Sequence, residues 1–170
     1  MRHPLSQSTA VTISDAVVFR KVREPYGWCS NMSPHPVTDG GHAYRTSEAL
    51  FQALRFNAHP EVLDAIRASK SPMGAKMVAK AHPHLMGDRS DPAWIAADLD
   101  RMRHTLRVKL ACHPGLVTEL RATGSRTIIE DVSARASPTG LFWGMARTSD
   151  GLWYGQNWLG VLWAELRATL

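Results

Sequence analysis

The hydrophobic positions of this chain follow two rhythms. In the first, Leu50, Phe51, Leu54 and Phe56 recur behind the hydroxyl pair Thr46-Ser47, which predicts an amphipathic helix within residues 44–56 opening at a polar cap. Val62, Leu63 and Ile66 form the apolar side of a helix that restarts at His59-Pro60 and runs to about Ala68. Ser71-Pro72, a cap followed by proline at the first helical position, predicts another to about Ala81. Asp91-Pro92 caps the longest helix, reaching about Cys112, and its stripe Ile95, Leu99, Met102, Leu106 and Leu110 makes it the expected spine of the core. Further helices are expected from Gly115 to about Ala122, closed by Thr123-Gly124, and from about Leu159 to Thr169. The second rhythm is that of strands, at residues 16–20 and 127–132. Residues 25–41, with three Pro and three Gly, read as loop, as does the glycine-punctuated and Trp-rich stretch 141–160.

Composition narrows this picture. A chain of 170 residues can bury a substantial core, and residues 15–170 are expected to form a single domain behind a loose arm at 1–14. Lys and Arg number 20 against 15 Asp and Glu, a formal charge of +5. That excess suits an anionic substrate, a phosphorylated nucleotide or nucleic acid alike. Cys29 and Cys112 have no CxxC spacing and read as free thiols of a reduced compartment. With no signal-peptide core and no apolar run of membrane-helix length, the expected location is cytoplasmic and no membrane partner is expected.

Several residues carry candidate chemistry. Glu48, Gln52 and Arg55 share one helix face, an acid, an amide and a fixed cation, which is either a site or a solvated polar stripe. Tyr26, Trp28, Ser30 and Asn31 lie in a rigid loop that can hold a flat base; alternatively its aromatics cover the edge of the core. Lys76 and Lys80 share a face, ordinarily a solvated one. Glu130 and Asp131 close the second strand and point to opposite sides, so one at most looks into a site. His82 and His84 without a third ligand are weak as a metal site, and neither metal nor cofactor is expected. Trp158 and Trp163 read as stitching for the last helix.

Taken in order, Tyr26-Gly-Trp-Cys-Ser-Asn31, Thr46-Ser-Glu48 with Phe51-Gln-Ala53, Ser71-Pro72 with Ala75-Lys76, Trp94, Phe142-Trp-Gly144 and Gly155-Gln-Asn157 before Leu159-Gly160 resemble the motifs of the NADAR (YbiA-like) family. The resemblance implies a compact, mostly helical α+β domain that hydrolyses an N-glycosidic bond. It implies substrates such as ribosylamino-pyrimidine intermediates of riboflavin synthesis or guanine carrying ADP-ribose. It makes Glu48 the first catalytic candidate and Asp131 the second. Tyr26, Trp28, Ser30, Asn31, Gln52, Arg55, Lys76, Trp94, Trp143 and Asn157 become substrate contacts, with Lys76 and Arg55 toward a phosphate and Trp94 toward a cavity. Arg55 stands where relatives commonly carry a Lys proposed to form an imine, which arginine cannot do. Ala49, Met145, Gln156 and Trp158 likewise replace polar or charged family residues. The expected activity is cleavage of a phosphorylated ribosylamino-heterocycle; the alternatives are ADP-ribosyl-guanine cleavage on DNA and a non-catalytic nucleotide-binding domain.

Overall fold

The computed structural model describes residues 9–170, and over them the chain is α+β and mostly helical. In chain order the elements are β1 (Val17–Phe19), β2 (Val37–Asp39), β3 (His42–Tyr44), α1 (Ser47–Ala53), α2 (Pro60–Ala68), α3 (Pro72–Ala81), α4 (Pro92–Cys112), α5 (Pro114–Ala122), β4 (Ile128–Glu130), α6 (Pro138–Trp143), β5 (Ala146–Arg147), β6 (Trp153–Tyr154) and α7 (Trp158–Arg167). They sort into two compact units. One is the chain up to Ser30 together with Thr118–Leu170; the other is Asn31–Val117. Residues 1–8 of the expected arm lie outside the described residues. Beyond them the chain is tied down, since Val11 exchanges both backbone hydrogen bonds with Trp153 (2.9 and 2.8 Å).

In the Asn31–Val117 unit, α1 packs against α2, α3 and α4. Thr46 accepts from the Ala49 N–H at 3.3 Å, Ser71 from Gly74 at 3.0 Å and Asp91 from Ala93 at 2.9 Å, so each expected cap is in place. Leu50, Ala53 and Phe56 meet Val62, Ile66, Ala75 and Ala79 in one apolar cluster. Two expectations change. Helix α1 opens at the expected cap but is buried on every side, so Glu48 and Gln52 sit inside the protein instead of on a wet stripe. The spine α4 buries Met102, Leu106 and Leu110 as expected but leaves Ile95 and Leu99 half-buried, and in their stead buries Asp98, Thr105 and Lys109. Each of those three has a partner: Asp98 the Arg55 guanidinium, Thr105 the Arg101 carbonyl at 2.8 Å, and Lys109 the Ser33 hydroxyl at 2.8 Å. The loop expected over 25–41 also holds β2, which pairs with β3 in a hairpin turning at Gly40 and Gly41, both at positive φ (54° and 79°).

In the other unit β1 and β4 run parallel, Val17 opposite Ile128 and Phe19 opposite Glu130. The segment after α6 lies along the other side of β4, with the Met145 N–H donating to Glu130 at 2.8 Å and the Val132 N–H to Met145 at 2.9 Å. That approach is why the Phe142-Trp-Gly144 motif ends in glycine: a Cβ on Gly144 would stand 2.4 Å from the Glu130 carbonyl oxygen. The stretch 141–160 is therefore less of a loop than expected. Its start completes α6, and β5 pairs with β6. The final helix is stitched as expected by Trp163, fully buried, whose indole N–H donates to the Cys29 carbonyl at 3.0 Å while its ring meets Trp28 edge-on at 5.4 Å.

Candidate active site

Four side chains of the Asn31–Val117 unit form a continuous hydrogen-bonded line. Gln52 Nε2 donates to Glu48 Oε1 at 2.8 Å, and Gln52 Oε1 accepts from Arg55 Nη1 at 3.0 Å. A carboxylate takes only donors and a guanidinium only acceptors, so the Gln52 amide has one orientation between them. Arg55 then grips Asp98 with two parallel bonds, Nε to Oδ1 at 2.8 Å and Nη2 to Oδ2 at 2.5 Å. The line exists because Glu48 and Gln52 are four apart on α1 and Arg55 follows its end, while Asp98 projects from the second turn of α4. Glu48 is 6% exposed, which leaves this carboxylate held in a low-dielectric setting by one oriented donor.

The start of α1 is bracketed by Asn31. Its backbone carbonyl accepts from the Glu48 N–H at 3.0 Å, its Nδ2 lies 3.0 Å from the Met102 sulfur, and its Oδ1 is buried without a donor. Beyond Arg55 opens a cavity of about 490 Å³ whose polar lining is Arg55, Asn57, Asp100, Arg101 and His104, with Asp100 paired to Arg103 at 2.5 Å. Glu48 and Gln52 stand behind Arg55, outside that lining.

The Arg55 guanidinium also lies over the Phe51 ring (4.2 Å) and near the Trp94 ring (5.5 Å). Trp94 is half-buried against the apolar cluster and donates its indole N–H to the Met86 carbonyl. Arg89 and Arg101 approach the same ring at 5.5 and 5.8 Å. Arg89 is exposed as a residue, but the partial burial of its guanidinium first, and then the Arg55 charge, push it below the usual arginine value, while Asp98 pulls it back. The forked edge of Arg55 that would suit a phosphate is occupied by Asp98. Lys76, half-buried on α3, is joined to this line by no hydrogen bond or ion pair.

The remaining candidates belong to the other unit. Tyr26 accepts from Arg126 Nη1 at 3.3 Å, and Trp28 is buried against Trp163, the core-edge alternative for that loop. Ser30 is buried, and Trp143 meets Phe142 edge-on at 4.9 Å. Asp131 accepts from the Ser133 N–H at 2.9 Å and its hydroxyl at 2.5 Å, with Arg20 at 4.0 Å, which makes it a turn cap. Asn157 sits at φ 56° and serves β4, its Nδ2 donating to the Ile128 carbonyl at 2.7 Å and its Oδ1 accepting from the Glu130 N–H at 3.3 Å. Both amide atoms are spent on backbone. Asp98, Arg89 and Arg101 adjoin this line, and sequence reasoning passed over them. The spacing Asp98, Met102, Thr105, Lys109 is itself a helical face and was the available signal. Among the described residues no group of three or more His, Cys, Asp or Glu is placed to hold a metal ion. No described helix is long and apolar enough to cross a membrane.

Residues 18–170 match the NADAR domain, and the chain belongs to that family. It is 31% identical to N-glycosidase YbiA of Escherichia coli (strain K12) over 93% of this chain and 91% of that one. It is 28% identical to N-glycosidase Npun_R5314 of Nostoc punctiforme over 80% and 83% of the two chains. Riboflavin biosynthesis protein PYRR, chloroplastic, of Zea mays is 30% identical over 92% of this chain, which spans a quarter (25%) of that protein's length. The NMR structure of the Escherichia coli protein YbiA matches with a TM-score of 0.69 at 29% identity, covering 94% of this chain and 87% of that one. The homologues' names support a glycosidase-type function.

Proposed function

We propose that this protein is an N-glycosidase that hydrolyses the bond between ribose and the nitrogen of a phosphorylated ribosylamino-heterocycle. The observation that carries the reading is Glu48, a buried carboxylate fixed by an oriented amide at the start of α1. Breaking a C1′–N bond builds positive charge on the sugar, and a carboxylate either stabilises that charge or takes a proton from the attacking water. In the reaction water supplies hydroxyl to C1′, the bond electrons leave with the nitrogen, and the departing base is protonated. Gln52 and Arg55 act as positioning residues, Gln52 by its direct bond to Glu48 and Arg55 through Gln52. Arg55 carries no amine that could form an imine and is locked to Asp98, so the route is direct hydrolysis. The name of the maize relative, a riboflavin biosynthesis protein, supports an intermediate of that synthesis as the substrate.

The test incubates the protein with 5-amino-6-ribosylaminouracil 5′-phosphate and, separately, with ADP-ribosylated guanine DNA, following free base and sugar by mass spectrometry. Release from the first is expected, with Glu48→Gln lowering turnover by about 10²–10⁴-fold while substrate binding stays nearly intact. Release from the second alone would move the substrate to ADP-ribosyl-guanine. No release from either, alongside measurable ribonucleotide binding, would mean a binding domain; a Glu48→Gln variant that loses binding and turnover equally would remove Glu48 as the catalytic group.

A further inference from the structure

Three guanidinium groups, those of Arg55, Arg89 and Arg101, surround one indole, and a single carboxylate, Asp98, answers them. Asp98 is consumed by the two-pronged bond to Arg55 and reaches Arg101 only at 3.5 Å. Arg101 Nη1 is a buried atom with no hydrogen-bond acceptor, and Arg89 has neither ion pair nor hydrogen bond among the described residues. Three positive charges against one negative leave the three guanidiniums and Asp98 with a net charge of +2, and Arg89 is held only by its packing on Trp94. Like charges gathered beside a cavity are costly unless an anion joins them. Lysines on a mobile stem would splay apart; planar guanidiniums stacked on an aromatic face keep their donors aimed.

We propose that Arg89 and Arg101, steadied by Trp94, form a subsite for a phosphomonoester dianion, with Arg55 excluded from direct contact because Asp98 occupies its forked edge. A phosphomonoester carries about −1.5 to −2 charges near pH 7, the amount this cluster lacks. Arg101 lines the 490 Å³ cavity next to Arg55, the end of the Glu48–Gln52–Arg55 line that faces this cavity. The assignment rests on the glycosidase reading for the identity of the sugar, but its charge and donor geometry stand apart from any turnover. It names Arg89 and Arg101 as the residues that discriminate a 5′-phosphorylated substrate from the free nucleoside.

The measurement is calorimetric binding of ribose 5′-phosphate, ribose and ADP-ribose to the full chain, wild type and variants, at two salt concentrations. Arg89→Gln and Arg101→Gln are each expected to weaken ribose 5′-phosphate on the order of tenfold and to reduce its salt dependence, with ribose unaffected. Arg107→Gln, which removes the same charge from an exposed position of α4, leaves binding unchanged. Arg89 is exposed, so its variant folds and reports even where the Arg101 substitution disturbs Asp98. Unaltered binding in Arg89→Gln, or tighter binding of ADP-ribose than of ribose 5′-phosphate, overturns the assignment. Base release by a protein whose Arg89→Gln binding is unaltered would sink this subsite and leave the glycosidase standing. Arg89-dependent phosphomonoester binding without base release would do the reverse.

Discussion

The Arg55–Asp98 pair makes a prediction that separates an internal electrostatic joint from surface decoration. Its side chains are 7% and 3% exposed, and the two parallel bonds of 2.8 and 2.5 Å leave neither carboxylate oxygen idle. Asp98→Asn keeps the shape but removes the charge, leaving a buried guanidinium facing an amide. Breaking a buried pair from one side costs about 3–5 kcal/mol. Total stabilities run about 5–15 kcal/mol, so this is a large share of the fold. With a urea slope of about 1–3 kcal/mol/M the unfolding midpoint is expected to drop by more than about 1 M at unchanged slope. Replacing both partners, Arg55→Met with Asp98→Leu, removes the stranded charge and is expected to recover most of the loss. A drop under about 1 kcal/mol for Asp98→Asn, the value of an exposed pair, would refute the placement of this joint inside the protein. Failure of the double variant to recover stability would show that packing, not charge, held the site.

Two further outcomes follow from the same structure. Gly160→Ala is expected to destabilise by about 3 kcal/mol or more, because its Cβ would stand 2.0 Å from the Ile128 carbonyl oxygen and 2.5 Å from Asn157 Nδ2; thermal unfolding within about 1 kcal/mol of the parent would rule out that close approach. Burial, followed by the charges of Lys109 and His113, lowers the His35 pKa from 6.5, so the unfolded chain takes up a proton there before the folded one does. The His35 contribution is therefore complete above pH 6.5 and is lost as pH falls below it toward the folded value. His35→Gln is expected to flatten the acid side of the stability profile measured by urea unfolding, and an unchanged slope would remove His35 from the account.

Helix starts were legible because caps are local: Thr46, Ser71 and Asp91 each accept from an N–H two or three residues on, and proline marks the next position at Ser71 and Asp91. The strand pair β1–β4 was legible as β-branched runs, although nothing in either run states that it is parallel. The hairpin β2–β3 and the pair β5–β6 escaped because strands of two or three residues carry no readable alternation. Within the site, Glu48, Gln52 and Arg55 were grouped correctly by helical spacing, yet the partner that fixes Arg55 lies 43 positions away in the chain. Asp98 looks in sequence like one of many wet carboxylates, and only tertiary contact shows that α4 buries it. Asn157 errs the other way: a polar residue in a family motif reads as a ligand contact, and it spends both amide atoms on β4.

That distinction bears on the chemistry left to the pocket. A lysine at position 55 presents one ammonium that titrates and can attack a carbonyl; the arginine here presents a fork matched to a carboxylate, and Asp98 accepts both prongs. The exchange turns a reactive position into a rigid one. Rigidity at Arg55 is transmitted through Gln52, whose amide has a single orientation between guanidinium and carboxylate, and so fixes Glu48. A water-activating carboxylate needs this more than a covalent route does, because water brings no geometry of its own and the enzyme must supply all of it. The line from Asp98 to Glu48 is thus consistent with direct hydrolysis as a whole, and its Arg55 member has no work to do in a mechanism that passes through an imine.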